Sequence, residues 1–153
     1  MFDYVKGLFA RKLEIFPGIP ALLHELKADR VPMMVTTNTE RNVADAAISA
    51  LGWQYFVDTI CGDEVPAGKP APDMYREAAR RIGAKPADCL VFEDSANGMR
   101  AAVDAGCVVI GLPEDDEVEV PPEVTEVSQL RNSRHLAGAR ASEVYEWFSK
   151  ISE

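Results

Sequence analysis

The feature that most constrains the fold is the alternation of short apolar runs with amphipathic segments. Four apolar, β-branched runs predict strands buried on both faces, at 31–36, 59–61, 90–92 and 108–112. Helical spacing of apolar residues predicts helices at 2–13, 19–26, 42–51, 72–82, 98–105 and 141–151. Strands that alternate with helices predict an α/β fold with a parallel sheet.

Composition and charge narrow the functional class. With 153 residues, of which 47% are hydrophobic, the chain fits one globular domain with a sizeable core. The formal net charge of −9 argues against a nucleic-acid partner, which requires a basic surface. No apolar window has the length of a membrane span, and no targeting segment is evident. We therefore expect a cytoplasmic protein with no membrane partner.

Several polar or reactive residues are interpreted without a functional role. Cys61, Cys89 and Cys107 lie beside apolar runs without metal-ligand spacing, so we interpret them as core thiols. The acidic run from 114 to 126 is interpreted as a solvated loop. His24 and His135 have no metal-ligand partner at useful spacing, and we expect structural or surface roles for both.

Residues that follow the predicted strands carry the chemistry of interest, because parallel sheets bind ligands at the carboxyl ends of their strands. Thr37 and Asn38 follow the first predicted strand, where a hydroxyl and helix N-terminal N–H groups suit a phosphate. The alternative is that Asn38 or Thr39 caps the next helix. Lys69 lies in a loop that prolines and glycines stiffen, which suits an ammonium aimed at a phosphoryl group. Alternatively, Pro72 simply begins the next helix.

Two adjacent carboxylates, Glu93 and Asp94, follow the third predicted strand. Adjacent anions repel each other unless a cation lies nearby, and Mg2+ prefers such hard oxygen ligands. The alternative is that Asp94 or Ser95 caps the helix that begins near Gly98.

Together these residues resemble three of the four motifs of haloacid dehalogenase-like (HAD) phosphohydrolases. Thr37-Asn38 resembles the second motif, Lys69 within Gly-Lys-Pro-Ala-Pro-Asp the third, and Glu93-Asp94 with its small-residue helix the fourth. The order and spacing also match over about 16–112. The most similar subgroup contains phosphoglycolate phosphatases and β-phosphoglucomutases.

The resemblance implies a Rossmann-like three-layer core and phosphoryl transfer or hydrolysis on a small phosphorylated metabolite. It implies that Thr37 and Asn38 bind the phosphoryl group, and that Lys69 neutralises the charge of this group and of the nucleophile. Asp94 with Glu93 would ligate Mg2+. Lys69 and Thr37 are thus the expected catalytic residues. In the family, an aspartate of an Asp-x-Asp motif after the first strand attacks phosphorus.

No Asp-x-Asp motif of the family's form occurs in this sequence. Phe16-Pro17-Gly18 resembles the hinge that follows the family's helical cap. We therefore expect residues 1–15 to be a remnant of cap and hinge and 16–153 to be the core, with the first strand and most of the cap absent. The strands before Thr37 and Glu93 would flank a gap, and we expect direct pairing or a second chain, as in a homodimer, to close it.

Three functional hypotheses remain. The chain is part of a truncated Mg2+-dependent phosphatase or phosphomutase that is inactive alone, or a phosphate-binding pseudoenzyme, or a subunit completed in trans by a partner that carries the first motif. A missing N-terminal segment or a homodimer would account for the gap. The substrate stays open among sugar phosphates, glycolate phosphate and nucleotides.

Overall fold

The computed structural model describes the backbone of residues 7–10 and all of residues 18–152. The strands of this part are β1 Gly7–Ala10, β2 Met33–Thr36, β3 Asp58–Ile60, β4 Cys89–Glu93, β5 Val108–Gly111 and β6 Thr125–Glu126. The helices are α1 Ile19–Ala28, α2 Arg41–Leu51, α3 Asp73–Ile82, α4 Ala96–Ala105 and α5 Ala141–Ile151. All six strands pair in parallel in one sheet, in the order β3-β2-β1-β4-β5-β6.

Alternate residues of the strands face opposite layers, as the period of two in a strand requires. Met33, Leu90 and Phe92 pack with helices α1 and α5 on one face of the sheet. Met34 and Val91 pack with α3 and α4 on the other face. The predicted α/β, three-layer architecture with a parallel sheet is therefore confirmed.

Strand β1 corrects the prediction for the N-terminal region. The predicted helix at 2–13 is wrong at Gly7–Ala10, which form a strand between β2 and β4. The strands before Thr37 and Glu93 therefore neither flank a gap nor pair directly, because β1 of the same chain pairs with both. The first strand predicted to be absent thus has a counterpart at its position. The domain boundary at residue 15 stays a prediction, and residues 1–6 and 11–17 of the predicted helix and hinge lie outside the described residues.

The other predicted helices and strands are confirmed, with ends that differ by one or two residues. Strand β6 was not predicted, because two residues carry no recognisable periodicity. Cys61 and Cys89 are fully buried, as expected of core thiols. Most acidic side chains of the 114–126 run are exposed, as are His24 and His135. Among the described residues, none of the helices has the length and apolar character needed to cross a membrane.

A carboxylate of α1 joins that helix to α5. Glu25 Oε1 accepts a hydrogen bond from the backbone N–H of Ala141 (2.9 Å), and Glu25 Oε2 accepts one from Arg140 Nε (2.6 Å). The bond to the first residue of α5 caps that helix from outside, because the first N–H groups of a helix have no partner within it. This hydrogen bond is the main reason why the pKa of Glu25 lies below its usual value, and the Arg140 guanidinium lowers it further.

Candidate functional site

The residues singled out by the sequence meet at one edge of the sheet. Thr37 follows β2, Lys69 lies in the loop after β3, and Glu93 ends β4 with Asp94 directly after it. Because the strands are parallel, their carboxyl ends share an edge, and the loops that follow them converge there. Thr37, Lys69 and Glu93 are buried, Asp94 is half-buried and Asn38 is exposed.

The centre of this edge is an ion pair between Lys69 and Glu93. Lys69 Nζ lies 2.9 Å from Glu93 Oε2, and the two side chains are 1% and 0% exposed. The ammonium also donates to Thr36, to the carbonyl oxygen (3.2 Å) and to Oγ1 (3.1 Å). Buried charges require such partners, because their desolvation is otherwise strongly unfavourable. The structure thus explains why a buried strand end carries a glutamate and the loop after β3 a buried lysine.

Tyr75, on α3, completes this centre and was not identified from the sequence. Its hydroxyl donates to Glu93 Oε2 (2.6 Å) and accepts from Lys69 Nζ (3.0 Å). Burial raises the pKa of Tyr75 well above its usual value, and the nearby negative charge of Glu93 raises it further. The side chain is therefore a neutral phenol. Helical periodicity assigns Tyr75 to the apolar face of α3. Its polar contacts depend on Glu93, which belongs to β4 and is distant in sequence.

Asn38 fastens the turn after β2 to the loop that carries Lys69. Its Nδ2 donates to the carbonyl oxygen of Lys69 (3.1 Å), and its Oδ1 accepts from the N–H of Lys69 (2.9 Å). The loop comes so near that a Cβ at Gly62 would lie 2.1 Å from the carbonyl oxygen of Asn38. The alternative in which Asn38 or Thr39 caps α2 is wrong, because the N-cap of α2 is Glu40, without a side-chain bond.

Arg41, at the start of α2, ties the same two segments together and was also missed. Its guanidinium binds both oxygens of Glu64 (Nη2 to Oε1 2.7 Å, Nε to Oε2 3.1 Å). It also donates to Thr59 Oγ1 (2.7 Å) and to Asp45 (3.1 Å). The hydrogen bond from Arg41 lowers the pKa of Glu64. A paired, bidentate arginine holds its partner in a defined orientation, so the loop before Lys69 is anchored at two points.

The N-terminus of α4 packs directly against Glu93. Ser95 caps this helix, because its Oγ accepts from the N–H of Gly98 (3.0 Å). A Cβ at Gly98 would lie 2.0 Å from the carboxyl carbon of Glu93, so this position has no room for a side chain. The capping alternative is thus confirmed for Ser95, and it leaves the carboxylates of Glu93 and Asp94 out of the cap.

The donor set for a cation consists of Glu93 and Asp94. Glu93 Oε2 is bound to Lys69 and Tyr75, whereas Oε1 accepts from the backbone N–H of Asp94 (3.2 Å). Within residues 18–152, no three His, Cys, Asp or Glu side chains cluster as a metal site would require. Two carboxylates are nevertheless the usual protein share at a Mg2+ site that also includes waters and a substrate phosphate. The chemistry of these donors therefore fits a Mg2+ ion that the two carboxylates share with waters and a substrate phosphate.

These features define a class of protein: a three-layer α/β protein with a polar site of lysine, carboxylates and a threonine turn at the carboxyl edge of a parallel sheet. The model of the haloacid dehalogenase-like hydrolase family matches residues 1–106. The chain therefore belongs to this family, and the predicted resemblance is confirmed.

Relatives and solved structures agree with this assignment. The chain is 42% identical over 104 residues to a bifunctional riboflavin kinase/FMN phosphatase of Arabidopsis thaliana, covering 67% of this chain and 27% of that protein. It is 35% identical over 116 residues to protein CbbY of Rhodobacter capsulatus, covering 73% and 51%. A crystal structure of a CbbY mutant from Rhodobacter sphaeroides with xylulose-(1,5)bisphosphate superposes with a TM-score of 0.71 at 30% identity, covering 83% and 57%. The chain thus spans about half the length of CbbY and 27% of the longer riboflavin kinase/FMN phosphatase.

Proposed function

We propose that this chain is the phosphate- and magnesium-binding core of a HAD phosphohydrolase that acts on a small phosphorylated metabolite. The observation that carries the proposal is the meeting of Thr37, Lys69, Glu93 and Asp94 at one sheet edge. The relatives named above support the substrate class, because one is named as an FMN phosphatase and the CbbY structure contains a sugar bisphosphate.

The turn after β2 would bind the phosphoryl group. Thr37 Oγ1 accepts from the N–H of Thr39 (3.1 Å), so its own proton can be donated to a phosphoryl oxygen. Asn38 Nδ2 has a second hydrogen besides the one bound to Lys69, and this hydrogen can be donated in the same way. Lys69 supplies positive charge beside them, partly balanced by Glu93. Fixed donors of this kind stabilise a transferring phosphoryl group without reorganising.

Asp94 and Glu93 would hold Mg2+ on the same edge. Since Glu93 Oε2 is already bound to Lys69 and Tyr75, Asp94 is the main ligand and Glu93 contributes through Oε1. The ion would neutralise negative charge on the phosphoryl oxygens. The protein's own part is to keep both carboxylates at the strand end, where β4 and the cap of α4 fix them.

The covalent step requires an attacking aspartate, and this chain carries no Asp-x-Asp motif of the family's form. We therefore expect phosphate binding without turnover by the chain alone. Completion in trans by a partner that carries the motif would add turnover, whereas a pseudoenzyme would gain none.

Calorimetric titration of inorganic phosphate with and without Mg2+ tests the binding proposal. We expect Mg2+-dependent binding that Asp94→Asn weakens at least tenfold. Asp116→Asn is the matched control, because Asp116 is 93% exposed and pairs with Arg134 rather than with a residue of the site. Equal binding by the Asp94→Asn and Asp116→Asn proteins would contradict the proposal.

Hydrolysis of p-nitrophenyl phosphate by the same proteins tests the covalent step. Turnover by the chain alone that disappears in Asp94→Asn would refute the expected inactivity while supporting the site. Phosphate binding with no turnover supports the proposal as stated.

A further inference from the structure

The hydroxyl of Tyr75 forms a closed triangle with the ion pair. The three distances are 2.9 Å for Lys69 Nζ to Glu93 Oε2, 3.0 Å for Lys69 Nζ to the Tyr75 hydroxyl, and 2.6 Å for the hydroxyl to Glu93 Oε2. The Tyr75 side chain is 0% exposed, and Lys69 Nζ lies 4.8 Å from the centre of its ring. A phenol at this place therefore fixes both charged atoms at once.

This triangle occupies one oxygen of Glu93 and leaves the other on the side of Asp94. The hydroxyl and the ammonium both bind Oε2, while Oε1 accepts from the N–H of Asp94. The face of the carboxylate nearest Gly98 is closed, since a Cβ there would lie 2.2 Å from Oε2 and 2.4 Å from Oε1. With two donors on Oε2 and the helix against it, the carboxylate is held in one orientation.

We propose that Tyr75 is a positioning residue of the site, which holds Lys69 Nζ and Glu93 Oε2 together so that Glu93 Oε1 stays on the Asp94 side. The proposal rests on the proposed function, because its consequence is a better arranged phosphate and Mg2+ site. Tyr75 is fully buried, so we place it behind the site rather than in contact with phosphate or Mg2+. It acts through Lys69 and Glu93, and preorganised side chains of this kind raise affinity because less ordering is required on binding.

Tyr75→Phe removes only the hydroxyl, and Tyr145→Phe is its matched control. The Tyr145 hydroxyl also donates to a carboxylate, Asp29 Oδ2 at 2.7 Å, but it lies on α5. Calorimetric titration of inorganic phosphate with Mg2+ should show affinity reduced about fivefold to tenfold in Tyr75→Phe, as expected for one lost hydrogen bond. Tyr145→Phe should bind as the unchanged protein does.

Hydrogen exchange of the amides of residues 61–69, measured without ligand, provides a second readout. We expect these amides to exchange faster in Tyr75→Phe than in Tyr145→Phe, with α5 unchanged in Tyr75→Phe. Equal phosphate affinity in Tyr75→Phe and the unchanged protein would overturn the inference while leaving the proposed function intact. If the unchanged protein bound no phosphate, the proposed function would fail, and the exchange rates alone would decide whether Tyr75 positions the Lys69 loop. A Tyr75→Phe protein without a cooperative melting transition would assign the hydroxyl to the fold and would also overturn the inference.

Discussion

Removing either charge of the Lys69–Glu93 pair should destabilise the fold strongly, and the two removals should respond to pH in opposite directions. Glu93→Gln keeps the shape of the side chain and leaves a buried ammonium without its counter-charge. Lys69→Met leaves a buried carboxylate. Since both side chains are 1% exposed or less, water cannot replace the missing partner.

The magnitude follows from burial and from the cost of neutralisation. Removing one partner of a buried pair costs about 3–5 kcal/mol. The group left without a partner can limit this loss by becoming neutral. For an ordinary lysine side chain, whose pKa lies about 3.4 units above pH 7, neutralisation costs about 4.6 kcal/mol at about 1.36 kcal/mol per unit. For an ordinary glutamate the same limit is about 3.7 kcal/mol. A domain of this size has roughly 5–15 kcal/mol of stability, so both variants should still fold.

The pH dependence has a definite sign for each variant. In Glu93→Gln the folded state binds the lysine proton less readily than the unfolded state. The part of the loss that comes from the orphaned charge therefore shrinks as the pH rises, to at most about 1.9 kcal/mol at pH 9. In Lys69→Met the folded state binds the glutamate proton more readily than the unfolded state. The part of the loss that comes from the orphaned carboxylate therefore shrinks as the pH falls, to at most about 1.6 kcal/mol at pH 5.5.

Urea unfolding followed by circular dichroism at pH 5.5, 7 and 9 measures these differences. With a slope of about 2 kcal/mol per molar urea, a loss of about 3–4 kcal/mol lowers the midpoint by about 1.5–2 M. The double variant should lose less than the sum of the two single losses, because it leaves no uncompensated charge. Losses below about 1 kcal/mol in both single variants, or pH slopes of the same sign, would refute the reasoning.

Three further changes test the supports of the site. Gly98→Ala should cost about 1–3 kcal/mol in urea unfolding despite the higher helix propensity of alanine, because its Cβ would lie 2.0 Å from the carboxyl carbon of Glu93. A stability equal to that of the unchanged protein would show that Glu93 can move. Ser95→Ala should cost about 1 kcal/mol through loss of the α4 cap, and unchanged thermal melting would contradict that role. Glu25→Gln should lower stability at neutral pH, and the difference should vanish as the pH falls below the lowered pKa of Glu25, since a depressed folded pKa stabilises only above it. A difference that persists at pH 2 would assign the effect to packing.

The sequence predicts most of the fold because local pattern and tertiary environment agree. Strands 31–36 and 90–92 are apolar on both faces, and the structure buries both faces of β2 and β4. Helix α5 presents Val144, Trp147 and Phe148 to one core, as its period of 3.6 residues requires. In these elements periodicity has a single interpretation.

The segment at Gly7–Ala10 shows where local pattern fails. Its neighbouring apolar residues Leu8 and Phe9 suit a strand buried on both faces as well as a turn of helix, and periodicity alone cannot separate the two for so short a run. What separates them is pairing with β2 and β4, whose registers join Leu8 to Met33 and to Leu90. That information lies far away along the chain.

The candidate site likewise has residues that the sequence predicts and contacts that it does not. Strand-end position and residue chemistry point to Thr37, Lys69, Glu93 and Asp94 without any structure. The pairing of Lys69 with Glu93 could not be predicted, because 24 residues separate them and only the fold brings Nζ to Oε2. Tyr75 follows Lys69 by six residues, yet its hydroxyl is functional in the proposal only because β4 delivers Glu93 to it.

The energetics of the buried pair connect the fold to the proposed site. A buried ion pair is weak evidence for stability, because well-packed apolar residues of similar volume often serve as well or better. The surroundings nevertheless support this pair from several sides: Asn38 holds the lysine backbone, Tyr75 binds both charges, and Gly98 makes room for Glu93. Stability alone does not account for so many supports around a pair of doubtful net value. The proposed phosphate and Mg2+ site would account for them, since such a site requires a cation and carboxylates held in fixed positions before the ligand arrives.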